Sequence, residues 1–191
     1  PASLAQLSIT TCLLGLALGQ LIFGPLSDIV GRKKPLLLTL FLYSIASFLC
    51  AISPNITFFI LLRFIQGVTG AAGIVIARAA ARDMYSGKEL TKFIALLALV
   101  NGAAPILAPV FGGFILNWFT WHIVFYILAF IGLTMLIAVL LLLPETLHSN
   151  QRSKANLFAV FKTFGSLIKD HFFFGFALAQ AFVSMSMFAY I

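Results

Sequence analysis

The sequence predicts an all-α, polytopic membrane protein, and three observations carry that prediction. Only 9% of its 191 residues are charged and 62% are hydrophobic, with a mean hydropathy of +1.10; a soluble domain carries roughly 25% charged residues. Five segments, at residues 8–27, 35–53, 56–80, 91–117 and 122–143, reach the roughly 20 apolar residues that a helix needs to cross a bilayer. Most of the cations lie between these segments, in alternate connections. A soluble globular domain is thereby excluded. A nucleic-acid partner is not expected either, because the net charge of +7 rests on 12 basic and 5 acidic residues, too few for their length to form a solvated basic surface.

The first segment carries Gly15, Gly19 and Gly24-Pro25, a set of small residues suited to close helix approach. The stretch from Gly24 to Lys34 reads as a connecting loop in which Gly31 permits a turn with positive φ. Arg32, Lys33 and Lys34 supply cations there, while Asp28 is an acid that membrane orientation alone would not require. After the second segment the connection Ser53-Pro54-Asn55 holds no Lys or Arg. On the third, 100° per residue places Arg63, Gln66, Gly67, Gly70, Ala77 and Ala81 on one face, with Ile65, Val68 and Ile76 facing the other way, toward lipid. Arg63 falls about 10 Å below the membrane surface by helical rise, where an unpaired cation costs several kcal/mol. It is expected to line a polar cavity, the alternative being that it snorkels to the outer headgroups. Arg78, nearer the opposite surface, is expected to snorkel.

Arg82, Lys88 and Lys92 follow the third segment. In the fourth, Pro105 and Pro109 remove amide donors and free the carbonyls of Asn101 and Pro105, so the helix bends. Its small residues suit close approach to a neighbour, an ordinary kink being the alternative. The next connection lacks Lys and Arg and carries Trp118 and Trp121, an outer aromatic belt with His122 as an interfacial residue. Beyond the fifth segment come Arg152, Lys154, Lys162 and Lys169, and apolar residues recur at helical spacing from Leu157 to Ile168, the pattern of an interfacial helix. A sixth apolar segment begins near His171 and the sequence ends inside it, as expected of a piece of a longer protein. The positive-inside rule makes the basic connections cytoplasmic. Cys12 and Cys50 read as small hydrophobes, and no signal-peptide pattern opens the chain.

Residues Gly24-Pro25-Leu26-Ser27-Asp28-Ile29-Val30-Gly31-Arg32-Lys33 resemble the signature G-x-L-(A/S)-D-x-x-G-R-(K/R) between the second and third helices of the major facilitator superfamily, at every fixed position. The five segments then resemble helices 2 to 6 of a twelve-helix transporter made of two six-helix halves, and the last segment the start of helix 7. Arg63, Gln66 and Gly67 match the R-x-x-Q-G motif of helix 4. The fourth segment is similar to the antiporter signature G-x-x-x-G-P-x-x-G-G, matching at Pro109, Gly112 and Gly113, with Ala104 and Ala108 where glycines stand in its fullest form. Pro144-Glu145-Thr146 resembles the P-E-T ending of helix 6. With residues 17–25 and Arg82-Asp83, the combination most resembles the bicyclomycin-resistance (Bcr/CflA) type of bacterial drug/proton antiporters.

This resemblance implies proton-coupled multidrug efflux by alternating access, in a multi-pass protein of the bacterial cytoplasmic (inner) membrane. Residues 1–147 would form an amino-terminal half lacking its first helix, residues 148–170 a cytoplasmic linker with the interfacial helix, and residues 171–191 the start of helix 7. Family helices 1 and 4 would line the cavity, 2 and 5 would face the other half, and 3 and 6 would meet lipid. Gly24, Asp28, Gly31 and Arg32 would form a conformational latch, with Arg32 able to pair with Asp83. Arg63, Gln66, Gly67 and Asn101 would serve the cavity and proton coupling, and Pro109, Gly112 and Gly113 the antiporter motif. Asp28, Asp83, Glu89, Glu145 and Asp170 all fall at span ends or in connections, so the titrating carboxylate is expected on a helix outside this sequence. Partners implied are a small amphiphilic substrate, protons and the lipid bilayer, for a monomer without cofactor or metal. The alternative is a superfamily importer or metabolite exporter of a small solute. An enzyme is disfavoured: no His or acid lies mid-membrane, and no H-E-x-x-H or G-x-S-x-G pattern occurs.

Overall fold

The computed structural model describes residues 2–148, 150, 152–153, 165 and 170–190. Among the described residues six helices follow in order: α1 (Ala2–Val30), α2 (Lys33–Ala51), α3 (Ile56–Met84), α4 (Gly87–Trp118), α5 (Trp121–Leu142) and α6 (His171–Tyr190). The chain divides into two compact units, Pro1–Ser153 and Lys154–Ile191. Helices α1 to α5 are each long and apolar enough to cross a membrane. Within the second unit, Asp170 immediately precedes α6, and its carboxylate accepts from the Phe172 amide at 2.9 Å. The interfacial helix expected at residues 157–168 lies outside the described residues.

In the first unit α3 is the central helix, packed along both α1 and α2, while α2 also packs on α5. The α1–α3 contact is a meeting of backbones. A Cβ on Gly15 would overlap the carbonyl oxygen of Phe64, one on Gly19 that of Val68, and one on Gly67 that of Cys12. Such approach is how membrane helices associate where lipid offers no hydrophobic drive between them. Two placements expected from the sequence are corrected here. The small face of α1 is used against α3 and does not stand free for another half of the molecule. Ile76, assigned to a lipid face, is fully buried with Leu36 and Ala72, because a central helix has partners on more than one side; Ile65 does stay exposed, at 37%.

A second apolar cluster of Cys50, Ala51, Leu62 and Phe125 joins α2, α3 and α5 at the other end. Helix α4 touches α3 and α5 only lightly, and none of its residues is buried. Its interior glycines, Gly102, Gly112 and Gly113, have no atom of the described residues within 4 Å of where a Cβ would stand.

Candidate functional site

The connection read as a loop from Gly24 to Lys34 is much shorter in the structure. Helix α1 continues through Pro25 to Val30 and only Gly31 and Arg32 separate it from α2. Gly31 has φ +109°, the left-handed region glycine alone enters without strain, so the expected positive-φ turn is where the chain reverses. Asp28 therefore sits on the last turn of α1 and does not follow the helix end. Four residues on, Arg32 returns to it across one turn.

Arg32 is 5% exposed and its guanidinium is fully engaged. Nη1 donates to Asp28 Oδ1 at 2.5 Å and to Ser27 Oγ at 2.7 Å, and Nε donates to Asp83 Oδ2 at 2.8 Å. Thr146 Oγ1 donates to the same Asp83 oxygen at 3.4 Å. The expected Arg32–Asp83 pair is thus present, joining the ends of α1 and α3. Burial opposes the Arg32 charge, but the hydrogen bonds to Asp83 and Asp28 and their negative charges outweigh it and raise its pKa above the ordinary guanidinium value. Gly24 contributes its carbonyl, which accepts from Ser27 Oγ at 2.7 Å.

Glu145 completes this end, a role that the sequence did not reveal. Its Oε1 accepts from the Arg32 amide at 2.8 Å and its Oε2 from the Lys33 amide at 3.3 Å. The first amides of a helix lack intrahelical partners, and Arg32, at the N-cap of α2, supplies no side-chain cap of its own. A carboxylate from the segment after α5 therefore caps α2. Burial raises the Glu145 pKa, but the amides of Arg32, Leu147 and Lys33 and the charge of Arg152 overcome it and hold the carboxyl below the usual carboxylate range. Nearby, the Ser153 amide donates to the Asp28 carbonyl at 2.9 Å, and Lys33 Nζ donates to the Leu140 carbonyl at 3.0 Å.

The lowered Glu145 value fixes a pH dependence. The stabilising contribution is complete above the ordinary glutamate pKa of about 4.3 and is lost as pH falls through the lower folded value. Glu145→Gln is expected to lower stability at pH 7 by about 1 kcal/mol and to flatten the acid side of a melting-temperature profile of the detergent-solubilised protein. An unchanged acid slope would show that the cap carries no charge-dependent energy.

Toward the opposite end, Arg63 does not snorkel. Its Nη1 donates to Gln66 Oε1 at 2.7 Å, nearly one turn deeper, and Gln66 Nε2 donates to Ser47 Oγ on α2 at 2.7 Å. The guanidinium lies 5.4 Å from the centre of the Phe125 ring, within cation–π range. Among the described residues Arg63 Nε is buried with no partner. The residue lines a cavity of about 880 Å³ with Ser8, Asn55, Phe59, Trp121 and Phe125. The cavity expected to be polar is therefore mostly apolar, with Arg63 as the charged group among its lining residues. Trp121 packs edge-on against Phe59 and Phe125 and stacks on His122 at 3.8 Å. Gln66 is thus brought to Arg63, and Gly67 is a packing position against α1. Asn101 is not brought there: it is exposed on α4 and donates to the Leu97 carbonyl at 2.7 Å. Pro109, Gly112 and Gly113 also lie on α4, away from both sites.

Over residues 1–191 the sequence matches the family described as the Major Facilitator Superfamily. The chain belongs to this superfamily. It is 47% identical over its full length to an uncharacterised MFS-type transporter of Bacillus subtilis, covering 48% of that protein. It is 33% identical to a bicyclomycin resistance protein homolog of Haemophilus influenzae, over 97% of this chain and 47% of the relative. A chloramphenicol resistance protein of Acinetobacter baumannii is 30% identical over the whole chain, with 46% of that protein covered. The chain thus spans about half the length of these relatives. As a member of the major facilitator superfamily it is a multi-pass protein of the inner membrane, in a family of transporters of small molecules, with bilayer around its apolar helices.

Proposed function

We propose that the chain is part of a drug/proton antiporter that expels small amphiphilic molecules by alternating access. The observation that carries this reading is the buried, unpaired Nε of Arg63 beside a mostly apolar cavity. A cation held in such a place needs an acceptor, and a carboxylate that gains and loses a proton there couples proton movement to the cavity. The substrate class follows the names of the bicyclomycin and chloramphenicol resistance relatives. Residues 1–147 act as five helices of one six-helix half, 148–170 as the linker, and 171–191 as the start of helix 7, in a monomer. Gln66 positions Arg63. Asn101, Pro109, Gly112 and Gly113 belong to the face by which α4 meets the other half, which accounts for the empty space beside its glycines. Gly24, Asp28, Gly31 and Arg32 are the latch at the cytoplasmic end, biasing the equilibrium between access states by contacts made in one of them.

The test is transport of chloramphenicol by the whole protein in proteoliposomes under an imposed pH gradient. Proton-driven efflux is the expected result, and transport indifferent to the gradient would favour the importer or metabolite-exporter reading. Asp28→Asn is expected to slow efflux about two- to fivefold, the range for an ion pair with one exposed partner, with membrane insertion unchanged. Efflux at the unmodified rate would remove the latch from this proposal.

A further inference from the structure

The hydroxyls on α2 are not all used alike. Thr39 and Ser44 donate to carbonyls one turn back on their own helix, those of Pro35 at 2.8 Å and Leu40 at 2.9 Å, a common outlet for a hydroxyl in a helix interior. Ser47 is fully buried and reaches across to α3, where its Oγ accepts from Gln66 Nε2 at 2.7 Å. Gln66 is 3% exposed, and its other end, Oε1, accepts from Arg63 Nη1 at 2.7 Å. The Ser47–Gln66 contact lies where α2 and α3 pack together within the first unit, so it is complete without helices outside this sequence.

Donor chemistry fixes the sense of these contacts. A guanidinium only donates, so Gln66 holds Arg63 only while its carbonyl end faces it. The NH2 end then points at α2 and requires an acceptor there. Turned over, the amide would set N–H against N–H at Arg63 and release the guanidinium. Kept in place over an apolar side chain, it would bury a donor without a partner, which is costly. The Tyr43 hydroxyl, one turn before Ser47, also faces Ser47 and Gln66, and its ring is held between Gly70 of α3 and Gly132 of α5. A phenol there can donate to Ser47 Oγ without displacing Gln66, because a hydroxyl oxygen accepts twice.

We infer that Ser47 is a positioning residue for Arg63: by accepting from Gln66 it fixes which end of the amide the guanidinium meets, and so holds the guanidinium in the orientation that leaves Nε free beside the cavity. That this orientation serves proton exchange rests on the function proposed above; that Ser47 sets it rests on the hydrogen bonds.

The test has a spectroscopic arm and a transport arm, both on the whole protein in detergent. With arginine labelled in heavy nitrogen, the Arg63 signals are identified by their loss in Arg63→Lys. A guanidinium held through one Nη turns slowly about its Cζ–Nε bond and gives separate Nη1 and Nη2 signals, whereas a free one averages them. Separate signals are expected in the unmodified protein and averaged ones in Ser47→Ala. They should separate again in Ser47→Thr, which keeps the hydroxyl, and in Ser47→Ala combined with Gln66→Glu, whose carboxylate presents an oxygen whichever way it turns. The second combination carries the test should the extra methyl of threonine disturb folding. Tyr43→Phe should keep the signals separate. Proton release on adding chloramphenicol should fall about two- to tenfold in Ser47→Ala, the equivalent of one neutral hydrogen bond, with chloramphenicol binding within about twofold of the unmodified protein.

Separate signals persisting in Ser47→Ala, restoration by neither rescue variant, or averaging in Tyr43→Phe equal to that in Ser47→Ala would each overturn the positioning role. Averaged signals with undiminished proton release would overturn its part in coupling. Absence of proton release from the unmodified protein, with the spectroscopic pattern as expected, would instead remove the proposed function and leave Ser47 as the residue that orients Arg63.

Discussion

Gly67→Leu is expected to prevent α1 and α3 from assembling, with a cost of at least about 3 kcal/mol, the upper part of the range for overpacking. Even the first added carbon would overlap the backbone carbonyl oxygen of Cys12 and lie 3.1 Å from the Leu16 amide nitrogen. Neither atom can rotate away as a side chain can, so the helices must separate, and Gly15 and Gly19 lose their contacts with them. Gly73 on the same helix has nothing within 4 Å of a Cβ, so Gly73→Leu should leave stability within about 0.5 kcal/mol. The comparison is read from melting temperature and size-exclusion profile in detergent. Similar behaviour of the two variants would mean that the α1–α3 contact does not determine stability.

Arg63→Ala is expected to lower substrate-coupled proton release about ten- to hundredfold while the protein still folds. That range corresponds to the roughly 1.5–3 kcal/mol carried by a hydrogen bond to a charged group. Folding survives because the substitution removes a charge from a mostly apolar cavity and leaves the Gln66–Ser47 hydrogen bond in place. Arg63→Lys should recover little. Lysine can reach Gln66 as a point charge, but it lacks the planar fork that holds Nη1 on Gln66 while Nε points elsewhere. Full proton release by the Arg63→Ala protein would remove Arg63 from coupling and leave it a packing or substrate-contacting residue. Measured as release on adding chloramphenicol to solubilised protein, the result separates coupling from binding when paired with a binding titration.

What the sequence makes legible depends on how local the determinant is. Five helices were readable because each is a continuous apolar run, and the Gly31 turn because a single residue type fits its φ of +109°. Arg63 and Gln66 were readable as a pair because three residues along a helix places them on one face. The extent of α1 was misjudged, since Pro25 and the polar residues after it look like a loop; in place, Asp28, Ser27 and Arg32 satisfy one another and let the helix run on to Val30. The buried state of Ile76 was unreadable because a helix with partners on several sides has no single apolar stripe to detect. Glu145 was missed as a cap because its partners lie 112 and 113 residues away. The available clue was a deficit: α2 begins after an arginine that provides no acceptor for its first amides.

That separation also sets an order of events during synthesis. When α2 enters the membrane, the carboxylate that will close its leading end has not been made, and the ribosome must add the whole of α3, α4 and α5 first. At roughly 5–20 residues per second, the amides of Arg32 and Lys33 wait about 6–20 s for Glu145. Throughout that interval water or lipid headgroups must satisfy them, and the junction that later becomes the most densely bonded part of the unit stays open. A nascent chain stalled before residue 145 would therefore hold α2 with its leading amides not yet capped by Glu145.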